Sequence, residues 1–182
     1  MAHPRKLVRH AVVARLVNAT AANDRVQGTR VEPHRKAPLP AISVYTLNDD
    51  VDEEVSSDAE DTHELQLEIT GWVAHSDAIP VDDAMDDLAE QIEAVIANDP
   101  YLGGASGETR LRNTRMQVVE DNGRSDPMIG IVALTYAVTY RTDRVAQPPL
   151  DDFLSVDAKH RIVGAVEANQ GRDIFVVQET PP

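Results

Sequence analysis

The 182-residue chain contains no cysteine, which excludes disulfide frameworks, cysteine-ligated zinc and thiol nucleophiles together. Aromatic residues are scarce, at 4%, so any core must be assembled from Val, Ile, Leu and Ala; the 42% hydrophobic share is enough to build one. No window approaches the ~18 continuous apolar residues that a membrane span requires. The N-terminal run MAHPRKLVRHAVVARLVNATAAND is basic and then apolar, as a secretory signal would be, but Arg9, His10 and Arg15 break the apolar stretch. Cations are outnumbered: 17 Lys and Arg against 31 Asp and Glu leave a net charge of −14. That balance disfavours a surface that binds nucleic acid by neutralising phosphates. The length suits one domain, or one domain with an appended extension.

Leu7, Val8, Ala11, Val12 and Leu16 recur at helical spacing, with Arg5, Lys6, Arg9 and Arg15 between them, which predicts an amphipathic helix from Pro4 to Ala21. A short strand or irregular turn follows around Arg25 to Val31, and then PHRKAPLPA reads as a rigid, proline-rich linker. AISVYTL and HELQLEITGWV alternate as strands; in the second, Leu65, Leu67 and Ile69 point one way and Glu64, Gln66, Glu68 and Thr70 the other. From Val81 the spacing turns helical through Met85, Leu88, Ile92 and Ile96, with Asp82 and Asp83 in the first turn and Asn98-Asp99-Pro100 as the stop. YLGGASGET is a glycine-rich turn, and LRNTRMQVVE and GIVALTYAVTYRT are two more strands, the second long enough for the middle of a sheet. The order predicts an α+β fold: a mainly antiparallel sheet of about four strands with two helices packed on one face. Periodicity weakens from Gln147, so the domain is placed at 1–146, and 147–182 is read as a C-terminal extension with a short strand near Asp173 to Val177.

No catalytic signature is present. YLGGASGET lacks the lysine and spacing of a phosphate loop and follows a helix rather than a strand. Six histidines are scattered without an i, i+4 pair, and no serine occupies a G-x-S-x-G turn. Asp50, Asp52 and Glu54 alternate as calcium ligands do, but Val55 stands where an EF-hand needs glycine and Asp61 where it needs glutamate. No catalytic residue, metal or cofactor is expected. The acidic connection from Asp49 to Asp61 reads instead as a self-repelling, solvated hairpin tip.

The succession of a helix ending in AAND, RVQGTRVEP, LPAISVYTL, an acidic connection into HELQLEITGWV, the helix DDLAEQIEAVIANDPYLGG and LTYAVTYRTD resembles the tail terminator proteins of long-tailed bacteriophages, the lambda-type minor tail or tail completion proteins. The resemblance spans Arg5 to Asp143 and rests on segment order, not on a catalytic motif. It implies a non-enzymatic virion protein whose copies form a ring, usually a hexamer, on the head-proximal end of the tail tube. Such a ring stops tube polymerisation and offers the attachment surface for the head. The implied partners are the tail tube protein and the head-tail connector, with DNA passing through the lumen and no membrane involved. A neck or connector ring subunit, and a monomeric non-viral binding module, are the alternatives.

Within that frame Asp49, Asp50, Asp52, Glu53, Glu54, Asp58, Glu60 and Asp61 form a candidate channel-lining or docking loop. Negative charge along a DNA path repels phosphates, and an acidic loop also suits a basic neighbouring ring; a loop that only aids solubility is the plain alternative. The chain is basic between Arg5 and Lys36 and acidic beyond, so Arg25, Arg30 and Arg35 are candidate contacts to acids of an adjacent subunit. Phe153, Leu154, Ile174 and Phe175 in the extension are expected to be buried on their own or a neighbouring subunit.

Overall fold

A computed structural model of the chain describes residues 2–28, 38–57, 59–76, 78–119, 128–144, 156–158 and 173–175. The chain divides into two units, Met1–Arg144 and Val145–Pro182.

In the first unit, helix α1 (Pro4–Leu16) buries Val8, Val12 and Leu16, one residue per turn. Proline at its first position costs nothing because that N–H has no helical partner, and the His3 side chain caps the end by accepting from the Arg5 N–H at 3.3 Å. The helix is shorter than its spacing predicts. Val17 leaves helical backbone with ψ 127°, and Asn18 takes a left-handed φ of 59°, a conformation that asparagine tolerates better than most residues. Its N–H then closes a loop onto the Asn23 carbonyl at 2.9 Å. Helix α2 (Val81–Asn98) buries Val81, Met85, Leu88, Ala89, Ile92 and Ile96. It ends where Pro100 forces Asp99 into extended backbone, φ −144°. A 3₁₀ turn, Leu102–Gly104, follows, with Gly103 and Gly104 at φ 65° and 87° where a side chain would be strained.

Five strands, β1 (Val26–Gln27), β2 (Ala41–Asp52), β3 (Glu60–Ala74), β4 (Glu108–Val119) and β5 (Ile129–Asp143), make one sheet in the order β1-β2-β3-β5-β4. Only the two-residue β1 runs parallel to its neighbour; the other pairs are antiparallel. The α+β architecture with two helices on one face is as expected, with one more strand than the sequence suggested. Leu65, Leu67 and Ile69 of β3 and Val132, Leu134, Tyr136, Val138 and Tyr140 of β5 share the helix-covered face with Ile42 and Val44. Helix α1 packs over β1 and β2, and α2 over β3, β5 and part of β4. The approach is close: a Cβ on Gly130 would lie 2.8 Å from Met85, Val73 and Val81 at once.

Two bulges adjust which residues share a face. In β2, Leu47 and Asn48 oppose the single residue Gln66, and in β4 Arg112 is inserted between Leu111 and Asn113. Beyond each bulge the alternation inverts. In the second unit, β6 (Val156–Ala158) pairs antiparallel with β7 (Asp173–Phe175).

Candidate functional site

The acidic segment is largely sheet rather than loop. Asp49, Asp50 and Asp52 belong to β2 and pair with Leu65, Glu64 and Thr62 of β3, while Glu60 and Asp61 of β3 pair with Asp143 and Thr142 of β5. The solvated hairpin tip expected over Asp49 to Asp61 is therefore shorter than charge density suggested: the exposed turn is confined to Glu53 to Val55 and its flanks, and both strands continue into the charges. Arg141 lies 3.4 Å from Glu60 and Arg144 lies 2.6 Å from Asp61, both ion pairs with exposed members. Asp50, Asp52, Glu53 and Glu54 are exposed. In the turn, the Asp52 carboxylate accepts from the Glu54 N–H at 3.1 Å, and its carbonyl accepts from the Ser56 hydroxyl at 2.6 Å. Asp58 lies outside the described residues. The three strands thus form a paired arm with free negative charge along β2 and its turn, and compensated charge on the β3 and β5 side.

Asp49 stands apart from these acids. The bulge at Leu47 and Asn48 turns it to the helix-covered face, where its side chain is only 10% exposed. The Tyr140 hydroxyl donates to Asp49 Oδ2 at 2.6 Å, and Arg5 Nε, reaching from the first turn of α1, lies 3.3 Å from the same oxygen. His63 Nδ1 approaches Asp49 Oδ1 at 3.4 Å, near enough for charge attraction yet too poorly aligned to form a hydrogen bond. His63 Nε2 lies 3.0 Å from Thr142 Oγ1, and its ring stacks on Tyr140 with centroids 4.7 Å apart. Burial, then the Asp49 hydrogen bond and its charge, push the Tyr140 hydroxyl well above its ordinary titration range. These contacts close on one another. Asp49 Oδ2 is shared by Tyr140 and Arg5, so the cluster acts as a rivet between α1 and three strands rather than as a nucleophile held open for substrate.

A second rivet joins the helices. Arg15, in the last turn of α1, donates through Nε and Nη2 to Asp99 Oδ2 just past α2, and through Nη1 to the Ala11 carbonyl at 3.0 Å. The Arg15 hydrogen bond, followed by the Gly103 N–H, holds the Asp99 carboxyl below its usual range. On the sheet face away from the helices, Arg112 and Arg115 of β4 reach over β5 to Glu64 and Glu68 of β3, at 3.3 and 3.6 Å.

Of the basic candidates, Arg25 folds back on its own chain, donating to the carbonyls of Pro40 at 2.8 Å and Ala21 at 3.2 Å. Arg30 and Arg35, like Phe153 and Leu154, lie outside the described residues. Ile174 and Phe175 fall in β7, opposite Asp157 and Val156. Sequence reasoning missed Arg5, His63 and Tyr140 as partners of Asp49. Only the odd break in the β2 alternation, with Leu47 beside Asn48, carried a signal. Among the described residues no group of three or more His, Asp or Glu is arranged to hold a metal ion, and no helix is long and apolar enough to cross a membrane.

No protein-family model and no curated protein matches the chain. Among solved structures, it is similar to the sheath/tube terminator of an extracellular contractile injection system, PVC, in the extended state, at 12% identity and a TM-score of 0.35, over 91% of this chain and 65% of that one. A chain of the virion of a native gene transfer agent particle is similar at 14% identity and a TM-score of 0.36, over 77% of this chain and all of that one. The chain therefore spans less than two thirds of the terminator's length, and both likenesses are distant.

Proposed function

We propose that this chain is a structural virion subunit whose copies assemble into a ring on the head-proximal end of a phage tail tube, where it stops tube growth and presents the surface for head attachment. The observation that carries this reading is the β2-β3-β5 arm. Its strands pair continuously from the core to the acidic end, and Tyr140, Asp49 and Arg5 fasten its base to α1. A stiff arm can reach a stacked ring without the ordering cost that a free loop carries. Its uncompensated acids, Asp50, Asp52, Glu53 and Glu54, suit either of two ring surfaces, a lumen that must not adsorb DNA or a basic ring above or below. The order of segments from Arg5 to Asp143, which resembles the tail terminators, supports the same assignment. No bond is made or broken in this role. The protein supplies shape, charge and a stop signal, with the tube protein and the head-tail connector as partners.

The test is electron microscopy of lysates from a phage that carries a nonsense mutation in the gene for this chain. Overlong tails without heads are expected, because loss of the cap lets the tube grow past its normal length. Normal-length tails beside filled, unattached heads would move the protein to a connector ring of the neck. Intact particles would end the virion reading.

A further inference from the structure

Edge strand β4 carries an apolar row that its own domain leaves open. Leu111, Met116 and Val118 all point to the helix side of the sheet, since the Arg112 bulge inverts the alternation between Leu111 and Met116. They remain 38 to 41% exposed, whereas their partners on β5, Tyr136, Val132 and Gly130, are buried. Helix α2 covers β5 and only part of the strand beyond it. At this boundary the buried Tyr136 hydroxyl has no hydrogen-bond partner, and the charge acting on it is that of Glu93 on α2.

Charge defines that chain. Asp49, Glu60, Asp61, Glu64 and Glu68 of the sheet each lie beside an arginine of this molecule. Helix α2 bears Asp82, Asp83, Asp86, Asp87, Glu90 and Glu93 without a lysine or arginine, and among the described residues none of the six forms an ion pair. The sequence has no lysine or arginine from Ala37 to Thr109 to supply one locally. A partner for this ledge must therefore be both basic and apolar. Helix α1 has that chemistry: it carries no acid, Arg5 and Arg15 are held by Asp49 and Asp99 of their own molecule, and Lys6 remains beside Leu7, 47% exposed, and the exposed His10.

We propose that α1 of a second copy of this chain docks on the ledge between β4 and α2, with Leu7 against Leu111, Met116 and Val118 and with Lys6 and His10 toward the α2 carboxylates. Because α1 covers β1 and β2, at the far end of the sheet order from β4, the contact joins two different surfaces. Each copy keeps one of each free, so the association propagates into a closed ring or an open filament. This inference rests on the ring-subunit reading and names its subunit contact.

The absence of cysteine gives a direct test on the full-length protein. Leu7→Cys and Met116→Cys, both at exposed positions, are mixed and mildly oxidised at low salt, and disulfide dimers are followed by non-reducing electrophoresis. The expected rate is about tenfold or more above that of Leu7→Cys mixed with Ser57→Cys, a control on the exposed turn of the acidic arm, because docking raises the effective concentration of the two thiols. The excess should vanish at high salt and when Asp86, Asp87 and Glu90 are replaced by lysine. Equal rates for the two mixtures overturn the proposal. So does faster crosslinking of Met116→Cys to Phe175→Cys than to Leu7→Cys, which would give the ledge to the C-terminal unit. Rapid crosslinking with normal tails in the nonsense mutant keeps the contact and removes the terminator role; overlong tails with slow crosslinking do the reverse.

Discussion

Replacing Asp49 by alanine separates a structural acid from a merely surface one. Asp49 is 10% exposed, accepts the Tyr140 hydroxyl at 2.6 Å and faces Arg5 at 3.3 Å. A hydrogen bond to a charged group contributes about 1.5–3 kcal/mol. The Arg5 pair adds about 0–1 kcal/mol, since that arginine is 47% exposed and screened by water. His63, poorly aligned at 3.4 Å, adds little. The expected loss is therefore about 2–4 kcal/mol for Asp49→Ala, against about 0.5 kcal/mol or less for Asp50→Ala, one residue on and exposed. Urea unfolding followed by circular dichroism measures both. At a slope of about 2 kcal/mol per molar, the Asp49 variant should unfold about 1–2 M earlier with the slope unchanged. Tyr140→Phe combined with Asp49→Ala should cost less than the sum of the two single changes, by about 1 kcal/mol or more, because both remove the same bond. Equal midpoints for the Asp49 and Asp50 variants would refute the rivet and restore the solvated-loop reading of this segment.

Gly130→Ala should destabilise by about 1–3 kcal/mol in the same assay, because its Cβ would meet Met85, Val73 and Val81 at 2.8 Å in a packed core; a neutral result would mean that α2 rides further from β5. Asp99→Asn tests the helix rivet through pH. Arg15 holds the Asp99 carboxyl below its ordinary value of 3.8, so the folded value lies under the unfolded one. The stability it contributes is fully present above pH 3.8 and is lost as pH falls through the lower, folded value. Wild type and Asp99→Asn should therefore differ near neutrality and converge on acidification, and parallel curves would show that the Arg15 contact contributes nothing.

The parts of the fold that were legible in the sequence are those where one periodicity runs unbroken. Val81, Met85, Leu88, Ile92 and Ile96 mark α2, and the alternations through Leu65 to Ile69 and Val132 to Tyr140 mark the two central strands. The end of α1 was not legible: the residues after Leu16 are small and compatible with a helix, and the turn depends on the left-handed backbone of Asn18. Strand β1 is two residues long, too short for any alternation to show, and exists because β2 offers a free edge. The bulges were equally hidden. Counting every second residue puts Asp49 with Ser43 and Tyr45 on the face away from the helices, and separates Leu111 from Met116. One inserted residue in each strand reverses both assignments.

That reversal bears on how the charge of this protein should be read. A net charge of −14 suggests a uniformly repelling molecule, but the acids fall into groups with different physical roles. Asp49 and Asp99 fasten elements together, and Glu60, Asp61, Glu64 and Glu68 are matched by arginines brought near by strand pairing. Among the described acids without an ion pair, most lie at two places: along β2 and its turn, and on the outer face of α2. The two surfaces belong to different elements, so in the proposed ring they are free to meet different neighbours. An acidic arm suits a lumen or a stacked ring, and an acidic helix beside an apolar strand suits the basic helix of the next copy. If both contacts exist they should separate by mutation: serine in place of Asp50, Asp52, Glu53 and Glu54 should leave the Leu7 to Met116 crosslinking rate unchanged. A fall in that rate would mean that the arm and the ledge serve one and the same interface.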